Sequence, residues 1–182
     1  IMEAKVAFQT RLLEETFDRK IVTHRAGRWA MDKRYEKLLV KYGYKIDCST
    51  TPGIDWSSTA GITNGSMGTC YKNSESTPHF LGLEKKLLEV PVTTKHLRKG
   101  FLKDKSVKGI LRYTKHSVFG QDFWLRPTGK NLDEMLFLLE HEVMNNESDY
   151  IMFMLHSSEF MPGGSPTFPD EKAIERLYEH IR

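Results

Sequence analysis

The sequence predicts an α/β fold, either a parallel sheet or a (β/α) barrel, and two observations carry that prediction. Short β-prone runs alternate along the chain with segments of helical period. In addition, Arg25, Asp47, Thr93, Arg126 and His156 each follow a strand-like run, which is where the C-terminal face of such a barrel gathers its catalytic groups. Parallel strands joined this way need right-handed crossover connections.

The elements follow in order. Val6, Phe8, Leu12, Leu13 and Phe17 give an opening helix that ends near Asp18-Arg19-Lys20. Lys20 to Thr23 is a β-prone run that delivers His24-Arg25-Ala26-Gly27-Arg28-Trp29 into a loop. Asp32 is the expected N-cap of a helix whose face carries Tyr35, Leu38, Leu39 and Tyr42; Gly43 stops it, and Tyr44 to Asp47 starts the next strand. The same grammar returns at Leu87 to Val92, a buried strand, and at Asn131, a cap for a helix over Leu132 to Val143. Tyr150 to Leu155 is an apolar strand-like run ending in His156, and a helix over Asp170 to Ile181 closes the chain. Ser49 to Gly82 breaks the regularity: it is rich in Ser, Thr and Gly (Gly53, Gly61, Gly65, Gly68) and reads as a functional lid or a stretch hiding short elements.

With 182 residues, 39% of them hydrophobic, the chain has an ordinary globular composition and a length that suggests one domain, residues 1–182. That composition excludes disorder, collagen and a disulfide scaffold. No apolar run approaches the roughly 20 residues of a membrane-spanning helix. The net charge of +3 is unevenly spread: residues 91–130 carry a net +8 and 131–182 a net −8. A basic block of this size suits a polyanion such as an anionic glycan, but no zinc finger or RNP-type aromatic motif accompanies it, so nucleic acid is not the expected partner. The favoured reading is that the basic and acidic blocks face each other or solvate separate faces. Cys48 and Cys70 lack a CxxC partner and read as reduced thiols, which leans towards a cytoplasmic protein.

Several local motifs fail on inspection. His141-Glu142-Val143-Met144-Asn145 resembles a zinc-protease helix, but Asn145 stands where the second imidazole is needed. Gly61, Gly65 and Gly68 are not spaced as a dinucleotide fingerprint or a P-loop. The serines after His156 lack the GxSxG elbow. No two of the seven histidines lie three or four residues apart, so no local metal site is signalled.

Three segments remain: Thr23-His24-Arg25-Ala26-Gly27-Arg28-Trp29, Asp47-Cys48-Ser49-Thr50-Thr51-Pro52-Gly53-Ile54-Asp55-Trp56, and Met154-Leu155-His156-Ser157-Ser158-Glu159. In this order they resemble the later motifs of the NodB-homology polysaccharide deacetylases, and the match covers most of the chain. The resemblance implies a distorted (β/α) barrel of NodB type. It also implies hydrolysis of an N- or O-acetyl group from a sugar or polysaccharide in surface polysaccharide metabolism. In that family a divalent metal, zinc foremost, polarises the acyl carbonyl and activates water. By motif, Arg25 matches the arginine that orients the catalytic aspartate, Asp47 the acidic residue that pairs with the histidine, and His156 the general acid that protonates the leaving amine. Asp55 is the alternative holder of the carboxylate role. Trp29 and Trp56 are candidates for a sugar-binding groove, with core packing as the competing reading, and Glu159 and Arg126 are further substrate-binding candidates.

The family's Asp-Asp motif and its two-histidine motif are absent, so the metal ligands are not in this sequence. The chain therefore reads as the C-terminal part of a barrel that is incomplete on its N-terminal side. Such a piece is expected to be inactive alone and to expose a strand edge that favours self-association. The competing function is a non-catalytic carbohydrate- or polyanion-binding barrel that has lost the metal site. A regulatory or scaffolding barrel is a third reading, supported only by the missing motifs.

Overall fold

The computed structural model describes residues 1–59, 67–82, 84–145 and 149–182. The chain forms two compact units, residues 1–92 and 93–182.

In the first unit, helix α1 (Met2–Phe17) precedes strand β1 (Thr23–His24), helix α2 (Lys33–Lys41) and strand β2 (Ile46–Asp47). Strands β3 (His79–Leu81) and β4 (Leu87–Glu89) follow the long connection. The sheet order is β1-β2-β4-β3; β1, β2 and β4 are parallel, while β3 runs antiparallel to β4. Helix α2 starts where Asp32 Oδ1 accepts the Tyr35 N–H at 2.7 Å, and Gly43, at φ +87°, takes the left-handed conformation that lets the chain turn back into β2. The amphipathic α2 buries Leu39, which joins Val6, Met31, Tyr44, Tyr71 and Leu87 in one core. Burying a leucine of this kind contributes about 1.5–3 kcal/mol. From α1, Val6 and Thr10 are buried, and Thr10 Oγ1 lies 3.0 Å from the Tyr44 hydroxyl. Phe8, Leu12 and Phe17, predicted as part of the helical face, stay exposed.

In the second unit, strand β5 (Thr94–Leu97) pairs antiparallel with β6 (Gln121–Trp124), and helix α3 (Val107–Phe119) lies between them in sequence. Helices α4 (Leu132–Asn145) and α5 (Glu171–Ile181) complete it. Phe123, Leu125, Met135 and Leu138 form one core cluster; Phe168, Ala173, Ile174 and Leu177 form another. Asp170, the predicted first residue of the closing helix, caps α5 by accepting the Ala173 N–H at 2.8 Å. Asn131 also precedes its helix as predicted, but its side-chain oxygen accepts from Thr128 N–H and Oγ1 and so secures the incoming loop.

The predicted (β/α) barrel of NodB type, complete or incomplete, does not form. Barrel closure needs successive parallel strands with neighbours on both sides. Here three strands are parallel, β3 ends the first sheet in antiparallel sense, and β5 and β6 make a separate antiparallel ribbon. Among the described residues the fold is a mixed α/β one with a four-stranded and a two-stranded sheet. Tyr150 to Leu155, predicted as a strand, is not part of either sheet; its bonds include Thr93 N–H to Met152 O at 3.1 Å, Met152 N–H to Thr93 Oγ1 at 2.9 Å and Met154 N–H to Leu125 O at 2.9 Å. Within Ser49 to Gly82 the structure holds an antiparallel bridge between Asp55 and Cys70, then β3; Gly61 and Gly65 lie outside the described residues.

Candidate functional site

The first unit places a row of ionisable side chains across its sheet. His24 is in register with Asp47, Asp47 with Glu89, and Glu89 with His79, so four adjacent strands each contribute one. Directly opposed residues project on the same face of a sheet, so the row lines one side. Asp47 and Glu89 are fully buried. Asp47 Oδ1 is 2.7 Å from His24 Nδ1 and accepts the Ser49 hydroxyl at 2.8 Å; Oδ2 accepts the Ser49 N–H at 3.3 Å. Ser49 Oγ in turn accepts the Ala26 N–H at 2.8 Å. The other ring nitrogen of His24, Nε2, is 3.0 Å from the Tyr35 hydroxyl.

Glu89 is held differently. Its Oε1 accepts the Thr50 N–H at 2.9 Å, and its Oε2 is buried with no hydrogen-bond partner. Burial, first, and then the neighbouring Asp47 carboxylate push its pKa up to about 9, against the weaker pull of Thr50. Nearby, burial raises the Cys48 thiol and the Tyr71 phenol above their ordinary values.

Beside this row, Arg25 is exposed just after β1 and donates Nε–H to the Cys48 carbonyl at 3.1 Å. Trp29 and Trp56 are half-buried and stacked, with ring centroids 6.0 Å apart and planes 15° from parallel. Two local features set that pair. Arg28 and Trp29 both adopt φ of 57°, a left-handed conformation that costs a non-glycine residue about 1–2 kcal/mol. A side chain at Gly68 would run into the Trp56 backbone. Trp56 Nε1–H donates to Thr51 Oγ1 at 2.7 Å. Asp55 sits 3.1 Å from Lys72 Nζ; hydrogen bonds from Ser57, then from Lys72, hold its carboxyl well below the usual range.

The second unit holds the other predicted group. His156 opens a short 3-10 turn, Ser157–Phe160, and its side chain is 61% exposed, whereas the Glu159 carboxylate beneath it is buried. Glu159 Oε2 accepts the His156 backbone N–H at 2.8 Å and lies 3.3 Å from His156 Nδ1. Glu159 Oε1 accepts from Arg126 Nη2 at 2.9 Å. The Arg126 guanidinium also lies over the Trp124 ring, 5.4 Å from its centroid. Burial alone would raise Glu159; the His156 N–H and the Arg126 guanidinium outweigh it and hold the carboxyl below its ordinary value. Glu159 and Arg126, predicted as substrate contacts, are thus bonded to each other, and Glu159 is bonded to His156 as well.

The structure therefore gives Asp47 the partners His24 and Ser49, and gives His156 the partner Glu159. Sequence reasoning missed His24, Ser49, Tyr35 and Glu89. One signal was available: Glu89 is a lone carboxylate in an otherwise apolar strand-like run, where a charged residue calls for a reason. The divalent metal that the NodB resemblance implies does not fit the residues present, because among the described residues no three His, Cys, Asp or Glu side chains converge as a cation would need. No protein-family model, curated protein or solved structure matches the chain.

Proposed function

We propose that this chain contributes the proton-donating part of a hydrolase that removes acetyl groups from an N- or O-acetylated sugar or polysaccharide. The observation that carries the reading is the Arg126–Glu159–His156 set. An exposed imidazole is anchored near Nδ1 by a buried carboxylate, which is itself fixed by a guanidinium. Histidine suits this work because its unperturbed pKa of about 6.5 allows proton transfer near neutrality, and a carboxylate at Nδ1 sets the tautomer. In acyl hydrolysis water adds to the acetyl carbonyl and gives up its protons to solvent, the bond from carbon to the sugar nitrogen or oxygen breaks, and the leaving atom takes a proton. His156 donates that proton, and acetate departs. The ordered resemblance of the three segments to polysaccharide deacetylases supports this choice of substrate class. The role assigned to these residues is confined to the proton.

Acetate release from N- and O-acetylated oligosaccharides, measured on the full-length gene product, tests the reading. His156→Ala is expected to lower release by at least about 100-fold, the smallest effect typical of a general acid. Retained release in that variant, or no release from either substrate class by the unmodified protein, refutes it. A second reading, a carbohydrate-binding module without turnover, is favoured by the stacked Trp29–Trp56 pair, since such rings offer an apolar platform with polar edges. Saturable oligosaccharide binding that is lost in Trp56→Ala, with no acetate released, would favour that reading.

A further inference from the structure

We propose that Glu89 is carried as a neutral carboxylic acid that donates its proton to Asp47, making Glu89 the positioning residue that holds the Asp47 carboxylate against His24. The geometry leads there by accounting for each polar atom. Asp47 Oδ1 already takes His24 and Ser49 Oγ, while Oδ2 takes only the longer bond from Ser49 N–H. Glu89 Oε1 takes Thr50 N–H, and Oε2 is buried with no donor. Two fully buried carboxylates in register on neighbouring strands cannot both remain ionised without strong repulsion. One proton between them removes the repulsion and gives Oε2 the partner it lacks.

The proton belongs on Glu89 because Asp47 receives three hydrogen bonds and Glu89 one, and donors stabilise the charged form. The surroundings agree. Asp47 opposes Glu89 from β2, His79 opposes it on β3, Tyr71 lines the same cavity, and the Cys48 thiol feels its charge. Glu36 of α2 shares a cavity with Glu89 and is itself shifted towards its neutral form by burial. Arg25, the cation that acts on Cys48, spends a hydrogen bond on the Cys48 carbonyl.

Infrared difference spectroscopy reads the proton directly. At pH 7.5 the wild-type protein is expected to show a carbonyl stretch from a protonated carboxylic acid that disappears in Glu89→Gln. The amide keeps a donor towards Asp47 and an acceptor for Thr50, so this variant is expected to fold. Urea unfolding as a function of pH gives a second readout. Glu89 has its folded pKa raised above the unfolded value, so its contribution is complete at low pH and is lost as pH rises towards 9. The wild-type unfolding constant should therefore rise with pH between about 5 and 9 more steeply than that of Glu89→Gln, by up to about tenfold per unit for one proton. Absence of a protonated-carboxyl band in the wild type at pH 7.5 overturns the proposal, and that measurement needs no variant. A band that survives Glu89→Gln, or equal pH slopes in the two proteins, overturns it too. Neither readout involves turnover, so the outcome is separate from that of the acetate assay.

Discussion

Replacing Arg126 by Met tests whether the arginine holds the His156 turn together. The substitution keeps an unbranched apolar side chain but removes the guanidinium, which lies 2.9 Å from Glu159 Oε1 and over the Trp124 ring. Glu159 is 1% exposed and would stay buried with its charge uncompensated except by the His156 N–H and ring. Breaking a buried pair from one side costs about 3–5 kcal/mol; because the Arg126 side chain is itself 25% exposed, the lower end, about 3 kcal/mol, is expected. Arg126→Met/Glu159→Gln removes the stranded charge along with its partner, so it should be more stable than Arg126→Met alone, with a coupling of about 1–3 kcal/mol between the two sites. Urea unfolding followed by the far-ultraviolet signal measures all four proteins of the cycle. At about 2–4 °C per kcal/mol for a chain of this length, thermal unfolding should place Arg126→Met roughly 6–12 °C below the wild type. A shift under about 2 °C, or additive effects in the double variant, would refute the reasoning.

Asp32→Ala removes the acceptor of the Tyr35 N–H and should destabilise the protein by about 1 kcal/mol, which chemical denaturation will detect as a lowered midpoint at unchanged slope. Gly68→Ala should cost about 1–3 kcal/mol, because the added methyl meets the Trp56 backbone and not a side chain that can swing aside; the tryptophan fluorescence of the folded state should change with it.

Helix caps were legible in the sequence because they are local. Asp32 acts on an N–H three residues ahead where the pattern placed it, and Asp170 does the same at the start of the predicted closing helix. Strands were not, because their partners are remote. Thr94-Lys95-His96-Leu97 and Gln121-Asp122-Phe123-Trp124 carry no apolar alternation, and their pairing shows only once the intervening helix has brought them together. The basic block at 91–130 concealed α3, whose Val107, Leu111 and Val118 stay exposed, so the helical period there does not mark a buried face. Tyr150 to Leu155 misled in the opposite direction: it is apolar enough for a strand but joins neither sheet.

The candidate site shows the same division. The His156–Glu159 pair spans one turn and could be seen in the sequence, whereas the row from His24 to His79 exists only through sheet register. Strand position also explains why the first strand misled: His24 is the last residue in register with β2, while Arg25 has already left the strand and turns to the Cys48 carbonyl. Stability alone would not choose this row. Apolar side chains at 47 and 89 would bury without desolvating a charge, whereas two carboxylates must be reconciled by Ser49, His24, Thr50 and a proton. Buried ionisable groups arranged against the interest of stability are a physical mark of a functional site. By that criterion the β1-β2-β4-β3 row is a second candidate site in this chain, alongside His156, the proposed proton donor.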